Sequence, residues 1–360
     1  MFVSVPLFWL SGPNMRTLLI AATALGLSLT AAPQALAEKT IRVGNWLPMH
    51  HLIVRGILEP WAAAIEAETN GELKLEIMTS SLGPPPAYFD MVIDGTIDAG
   101  WGVSGHNPGR FTMTQVMDLP FSSPDPWAGS AAAWQTYQKY GAEYGEHDGA
   151  HVVGLFVHSI PYLHTRGEPI TSLDGLDGMK VRVGGNVTGR IISALGGTPV
   201  QLPPTEAQTA MSRGVADAIT FPMESINFFS ITPVIEGTVE IPGGLYTDTF
   251  WIAFNQEVWD SLTDEERAAI EKHSGMAIAM LAGWAWTNGD TVGRAALEEA
   301  GVTFTTLDEE SVATARERLA DIETEWLAEA ESRGLPGQEI LDYARAMTKA
   351  YTADKVVNQK

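Results

Sequence analysis

The sequence predicts an α/β protein of two lobes, each a small sheet flanked by helices, with one long helix spanning both. Three observations lead there. Residues 173–225 read strand, helix, strand, helix, strand, with a polar turn at each strand end. Short patterns from the first half recur in the second: Ile41-Arg42-Val43-Gly44 in Val181-Arg182-Val183-Gly184, and Gly95-Thr96-Ile97-Asp98-Ala99 in Gly214-Val215-Ala216-Asp217-Ala218. Thr263-Asp264-Glu265-Glu266 is a capping box, and the helix it opens could run to about Ala300, on the order of 50 Å at ~1.5 Å per residue. Sequential strands joined by helices argue for parallel sheets with right-handed crossovers.

In chain order, residue Arg16 is the one charge before Glu38, and it precedes the apolar run 18–29 and Ala35-Leu36-Ala37, a small-x-small cleavage pattern. That is an export signal over residues 1–37, too short in its apolar core for a comfortable membrane span, with Met15 as an alternative start. Residues 40–43 read as a strand ending at Gly44-Asn45-Trp46. A helix over 52–68 buries Val54, Leu58, Trp61 and Ile65, and Pro60 kinks or restarts it. Leu73, Leu75 and Ile77 alternate with charges as a half-exposed strand. Pro84-Pro85-Pro86 opens a helix through Val92, residues 96–103 form a third strand, and 131–144 and 152–157 a helix and a strand.

In the second half, the strand at 179–183 turns at Gly184-Gly185-Asn186 into a helix, followed by strands at 198–202 and 215–221. Another strand covers 247–254. The capped helix is interrupted only by Gly275, Gly283 and Gly289, a last helix spans 309–332, and the tail from Ala353 frays. The lobes are therefore assigned as 38–157 plus about 249–290, and 158–248 plus about 291–360.

Composition narrows the function. With 45% apolar residues in 360 the chain can bury a large core. Without the export signal, Lys and Arg number 21 against 44 Asp and Glu, a formal charge of −23. Nucleic acid and anionic lipid are poor partners for that field. There is no cysteine, so an exported chain is held by its core alone.

Catalytic patterns are thin. There is no nucleophile elbow, phosphate loop or cysteine nucleophile. His50-His51 lacks the partner spacing of a zinc site and reads as a turn and helix start near a cleft. His158 and His164 read as hinge or cleft polar groups, and Glu309-Glu310 as a helix start. No metal and no cofactor is implied.

Binding remains. Ligands of open α/β sheets collect beyond the carboxyl ends of the strands. Those ends hold Trp46, Trp101 with Ser104, Asn186, Phe221 with Glu224, and Phe250-Trp251. Arg182, a permanent cation between two valines, is costly to bury unpaired and must point outward or meet an anion. Aromatics around a charged anchor describe a small-molecule slot.

Taken together, the run Ser172-Leu173-Asp174-Gly175-Leu176-Asp177-Gly178-Met179-Lys180-Val181-Arg182-Val183, then Ala194-Leu195-Gly196-Gly197-Thr198-Pro199-Val200, then Ala210-Met211-Ser212-Arg213-Gly214-Val215-Ala216-Asp217 resembles the periplasmic solute-binding proteins of TRAP transporters, the DctP-like family. Gly71-Glu72-Leu73 before Ser81-Leu82-Gly83, Asp118-Leu119-Pro120-Phe121, and residues 259–270 extend the match over essentially the whole chain after the signal. The resemblance implies a periplasmic-binding-protein-like fold whose lobes close over a ligand, with no catalysis. It implies that Arg182 pairs bidentately with a ligand carboxylate and that Trp46, Trp101 and Ser104 stand where the family's loops touch ligand. Phe221 replaces an asparagine of the sialic-acid-binding members, which argues for a smaller or flatter acid, aromatic or short aliphatic. Glu224, if it lines the cleft, admits a zwitterion. The implied partners are the membrane subunits of a TRAP transporter. A sensor kinase as recipient, a secreted lyase and a protein-binding module are the rival readings.

Overall fold

The computed structural model describes residues 38–358. The export signal at 1–37 and the alternative start at Met15 lie outside the described residues. Eleven strands form two sheets: β1 (Lys39–Gly44), β2 (Leu73–Ile77), β3 (Ala99–Val103), β4 (Ala150–Val157), β5 (Tyr162–Thr165), β6 (Lys180–Val183), β7 (Thr198–Gln201), β8 (Ala218–Phe221), β9 (Gly237–Glu240), β10 (Thr249–Asn255) and β11 (Thr303–Thr306). The first sheet has the order β2-β1-β3-β10-β4 and the second β11-β9-β5-β8-β6-β7.

Each sheet contains the same parallel trio, its first strand in the middle, with an antiparallel strand beside the third. That fourth strand comes from the far side of a crossing: β10 enters the first sheet after β9 of the second, and β5 enters the second after β4 of the first. The two sheets are thus joined by crossings at 158–161 and 241–248 and by the run from β10 through 276–299 to β11.

The repeat is real in architecture but offset in sequence by two residues. Val43 pairs with Ala99, whereas Val181, not Val183, pairs with Ala218. Asp98 accepts the backbone N–H of Arg42 at 2.8 Å, and Asp217 that of Lys180 at 3.1 Å, so Arg42 corresponds to Lys180. Arg42 is exposed and paired with Asp98 at 3.1 Å. Arg182 lies two residues nearer the strand's carboxyl end, where the loops of an open sheet meet a ligand. Gly95 and Gly214 take φ of +69° and +70° at the turns entering β3 and β8, a conformation that favours glycine in both lobes.

Helices cover the sheets: α1 (Glu59–Glu68), α2 (Tyr88–Ile93), α3 (Pro126–Tyr144), α4 (Asn186–Ala194), α5 (Ala207–Ser212), α6 (Met223–Phe228), α7 (Gln256–Asp260), α8 (Asp264–His273), α9 (Met276–Glu299), α10 (Glu309–Arg318), α11 (Ala320–Ser332) and α12 (Gly337–Asn358). Pro60 stands in the first turn of α1, the restart of the two readings open for it. A π-helical turn, Val54–Leu58, runs directly into α1 and accommodates the missing N–H of Pro60.

The predicted 50 Å helix is two helices. The capping box of Thr263 and Glu266 opens α8 as predicted, and the helix stops at Gly275, whose φ of +59° turns the chain and lets its N–H reach Val153 O at 2.7 Å. Gly283 and Gly289 break nothing. They lie inside α9 as close-approach positions: a β-carbon on Gly283 would come within 2.7 Å of Trp127, and one on Gly293 within 2.4 Å of the Met223 backbone. Glycine there lets α9, about 36 Å long at 1.5 Å per residue, pack tightly on α3 of the first lobe and α6 of the second. The sequence does not announce β5, β9, β11 or α12. The last helix lies along α3, joined to it by Tyr140 Oη donating to Glu339 at 2.8 Å, so the chain after residue 291 is shared between the lobes rather than confined to the second. It continues to Asn358, where a frayed tail was predicted.

Candidate ligand-binding site

The carboxyl ends of the two parallel trios face each other across the crossing segments, and a slot lies between them. From the first lobe it is lined by Trp46 after β1, Val103 at the end of β3, and His106. From the second come Arg182 and Gly184 at the end of β6, and Phe221 and Ser225 after β8. His158, Asp248 and Phe250 enter from the crossings, and Trp286 from α9. The enclosed space is narrow, about 50 Å³ measured at the centre of a water-sized sphere.

Arg182 is 1% exposed. Its Nε and Nη2 donate to Leu202 O at 3.0 and 2.6 Å, and its guanidinium carbon lies 4.3 Å from the centre of the Phe221 ring. Among the described residues Nη1 has no hydrogen-bond partner. Burial lowers its pKa to about 10, so it stays charged at neutral pH. The expectation that it would point outward or meet an anion resolves in favour of a buried cation at the slot wall with unused donors.

Trp46 is held by its neighbour. The Asn45 side chain accepts the Leu47 N–H at 3.1 Å, donates to Leu47 O at 2.7 Å and Met78 O at 3.2 Å, and so fixes the loop. Behind Trp46, Trp101 stacks at 4.5 Å between ring centres and donates to Asn45 Oδ1 at 3.3 Å. The indole nitrogens of Trp46 and Trp286, both slot residues, are buried without a hydrogen-bond partner, donors available to a bound oxygen.

Of the predicted residues, Trp46, Arg182 and Phe221 line the slot and the others do not. Trp101 is the layer beneath Trp46. Ser104 is fully buried with its hydroxyl unpartnered. Asn186 accepts from Gln115 Nε2 at 3.3 Å, a bond between the lobes. Trp251 is a correction: strand alternation sends it to the opposite face of β10, over Gly102 and 5.1 Å from Phe89, while Phe250 faces the slot. Glu224 turns away from the slot; its Oε1 is 3.7 Å from His51 Nε2 and its Oε2 accepts from Ser225 at 3.0 Å. Burial raises Glu224 to about 8 and lowers His51 to about 3, so this close contact joins two neutral groups at neutral pH rather than an ion pair. His51 lines the slot and His50 is exposed, so the two rings do not share one ion.

Sequence reasoning missed Asp248. It lies in the crossing before β10, with its backbone N and its Oδ2 3.0 and 3.3 Å from His158 Nε2, a nitrogen that accepts from the one or donates to the other. Burial would raise its pKa, but the hydrogen bond with His158 and the nearby Arg182 cation hold it below the ordinary value. An aspartate at the second position of the predicted strand 247–254 was the one available signal. His158, read as a hinge or cleft group, is in the slot; His164 is not, and bridges Thr238 and Phe221 O within the second sheet at 2.9 and 3.0 Å.

The family model for bacterial extracellular solute-binding protein, family 7 (DctP), matches residues 43–329. The chain belongs to the DctP family. Among solved structures, a TRAP periplasmic solute-binding protein from Bordetella bronchiseptica with bound (R)- and (S)-mandelate is 32% identical with a TM-score of 0.83, covering 87% of this chain and 99% of that one. A marine metagenome TRAP solute-binding protein specific for aromatic acids, in complex with metahydroxyphenylacetate, is 30% identical with a TM-score of 0.82, covering 87% and 99%. The Comamonas testosteroni protein named outer membrane transporter protein TsaT is 29% identical over 94% of this chain and 99% of its own. As a DctP-family member the chain is an extracytoplasmic solute-binding protein, and among the described residues no helix is long and apolar enough to cross a membrane.

Proposed function

We propose that this DctP-family protein captures small aromatic carboxylic acids between its lobes and delivers them, without chemical change, to the membrane subunits of a TRAP-type transporter. The observation that carries the reading is Arg182: a buried guanidinium with free donors, set in a slot walled by Trp46, Phe221, Phe250 and Trp286. A carboxylate satisfies the donors and offsets the buried charge, and the flat walls desolvate a ring. A sugar acid would leave its hydroxyls against aromatic faces with few partners. The aromatic acids held by the two solved relatives support the same class.

The test is a thermal-shift series on the protein from Glu38 onward with aromatic acids, aliphatic acids, sugar acids, amines and neutral sugars. A ligand at ~100 times its Kd adds about 2.7 kcal/mol. Shifts confined to aromatic carboxylates support the reading; shifts with neutral or cationic compounds alone refute it. Delivery is tested with the TRAP membrane subunits in proteoliposomes, where uptake that proceeds equally without the binding protein removes the transport half of the proposal.

The lobes meet closely. A β-carbon on Gly185 would sit 3.4 Å from both Cα and O of Gly105 in the opposite lobe, and Gly185 has φ −138°, which valine tolerates. Gly185→Val is therefore expected to hold the lobes apart and weaken acid binding by about tenfold, with little change in the stability of the unliganded protein. Calorimetric titration of both forms measures it, and unchanged affinity would show that this contact does not limit closure.

A further inference from the structure

Arg182 has an opposite charge nearby that it does not pair with. Asp248, which lines the slot and keeps 16% of its side chain exposed, has its carboxylate contact with His158. Yet both groups border one point. An atom placed where Gly184 lacks a β-carbon lies 3.5 Å from Asp248 Oδ2, 3.8 Å from Arg182 Nη2 and 4.0 Å from Nη1. A ligand whose carboxylate engages Arg182 from the Gly184 side places its next atoms beside Asp248.

For a plain acid this is unfavourable. An ionised carboxylate only accepts hydrogen bonds, and a second carboxylate near it, between aromatic walls, feels repulsion that water does little to screen. The conflict disappears if the ligand brings a donor on the atom adjoining its carboxylate. Resting on the aromatic-acid reading above, we infer that the protein selects 2-hydroxy acids, with Arg182 taking the carboxylate and Asp248 reading the adjacent hydroxyl. A meta or para ring hydroxyl is too far from the carboxylate to reach the same point. An ammonium at the same point would lie nearly as close to the Arg182 guanidinium as to Asp248, and a second cation there is disfavoured where a neutral donor is not. Asp248 is thus a specificity-determining residue rather than a second anchor. The mandelate found in the Bordetella relative is an acid of this kind.

The experiment is calorimetric titration of the protein with mandelate, phenylacetate and 2-phenylglycine, which differ at the carbon next to the carboxylate. The wild type is expected to bind mandelate at least ~10-fold more tightly than phenylacetate, the discrimination of one hydrogen bond to a charged group. Asp248→Ala and Asp248→Asn, checked for folding by thermal melts, are expected to bring that ratio toward one. Equal binding of mandelate and phenylacetate by the wild type overturns the inference, and that comparison needs no variant. So does a ratio that persists in both variants, and tighter binding of phenylglycine overturns the hydroxyl assignment. Binding of phenylacetate without preference leaves the aromatic-acid reading standing, whereas binding of none of the three overturns that reading and this inference with it.

Discussion

Replacing Arg182 with alanine is expected to weaken binding of the cognate acid by at least ~100-fold, within the 2–5 kcal/mol range for truncating one partner of a buried, hydrogen-bonded charge pair. Arg182→Lys is expected to lose nearly as much. Lysine keeps the charge but not the fork, and the guanidinium's flat contact with Phe221, 4.3 Å from the ring centre, has no equivalent in an ammonium. The stability of the unliganded protein is expected to change far less. Alanine forfeits two hydrogen bonds to Leu202 O and the ring contact, but it also removes a buried cation that no carboxylate contacts until ligand arrives. Titration of each variant with mandelate and phenylacetate, beside urea denaturation of the same samples, separates the two effects. Parent-like affinity in both variants would show that the anchor lies elsewhere.

Arg182 was legible because one charged residue inside an apolar strand conflicts with its surroundings, and that conflict survives in one dimension. The repeated architecture was legible for a related reason: glycine and aspartate at the turns entering β3 and β8 serve a backbone need, positive φ and an acceptor for a strand N–H, that recurs wherever the motif is built. The register between repeats was not legible. The match of Val-Arg-Val-Gly to Arg42 is a match of letters, and only strand pairing reveals that Lys180 stands where Arg42 does. Trp251 failed because adjacent aromatics in a strand point to opposite faces, and choosing between Phe250 and Trp251 requires knowing which face Gly102 leaves open for the larger ring. Asp248 was invisible since its role depends on Gly184, more than sixty residues earlier, leaving a gap beside it. The glycines of α9 misled for the same reason: helix-breaking propensity is local, and close packing against Trp127 and Met223 is not.

Glu224 makes stability fall as pH rises. It sits on α6 facing His51, its backbone N–H bonds Asp290 Oδ1 at 3.1 Å, and burial raises its pKa from 4.5 to about 8. The folded protein therefore holds a proton that the unfolded chain releases above about pH 4.5. This contribution is fully present below that pH and is lost as pH rises through about 8, at about 1.4 kcal/mol per unit. Asp290 and Asp118 are also raised by burial and add to it with the same sign. The buried histidines act the other way and in a lower range: His51, His147, His106 and His164 are all lowered by burial, to about 3, 3, 4 and 4, so their contribution is present above pH 6.5 and lost below it. The unfolded chain's histidines are still half protonated at pH 6.5 and lose that proton by pH 8, a gain of about 0.4 kcal/mol each that opposes the Glu224 slope over this interval. Measured against Glu224→Gln, which keeps the same histidines, the wild type is expected to lose roughly 1.5 kcal/mol of unfolding free energy across that interval. Glu224→Gln, which keeps the shape of the protonated acid, is expected to remove this part of the fall and to be the more stable form at pH 8. Urea denaturation of both proteins at pH 6.5, 7.2 and 8.0 measures it. Parallel curves would mean that Glu224 is already ionised at pH 6.5, paired with a protonated His51, and the contact across α6 would then be a buried ion pair.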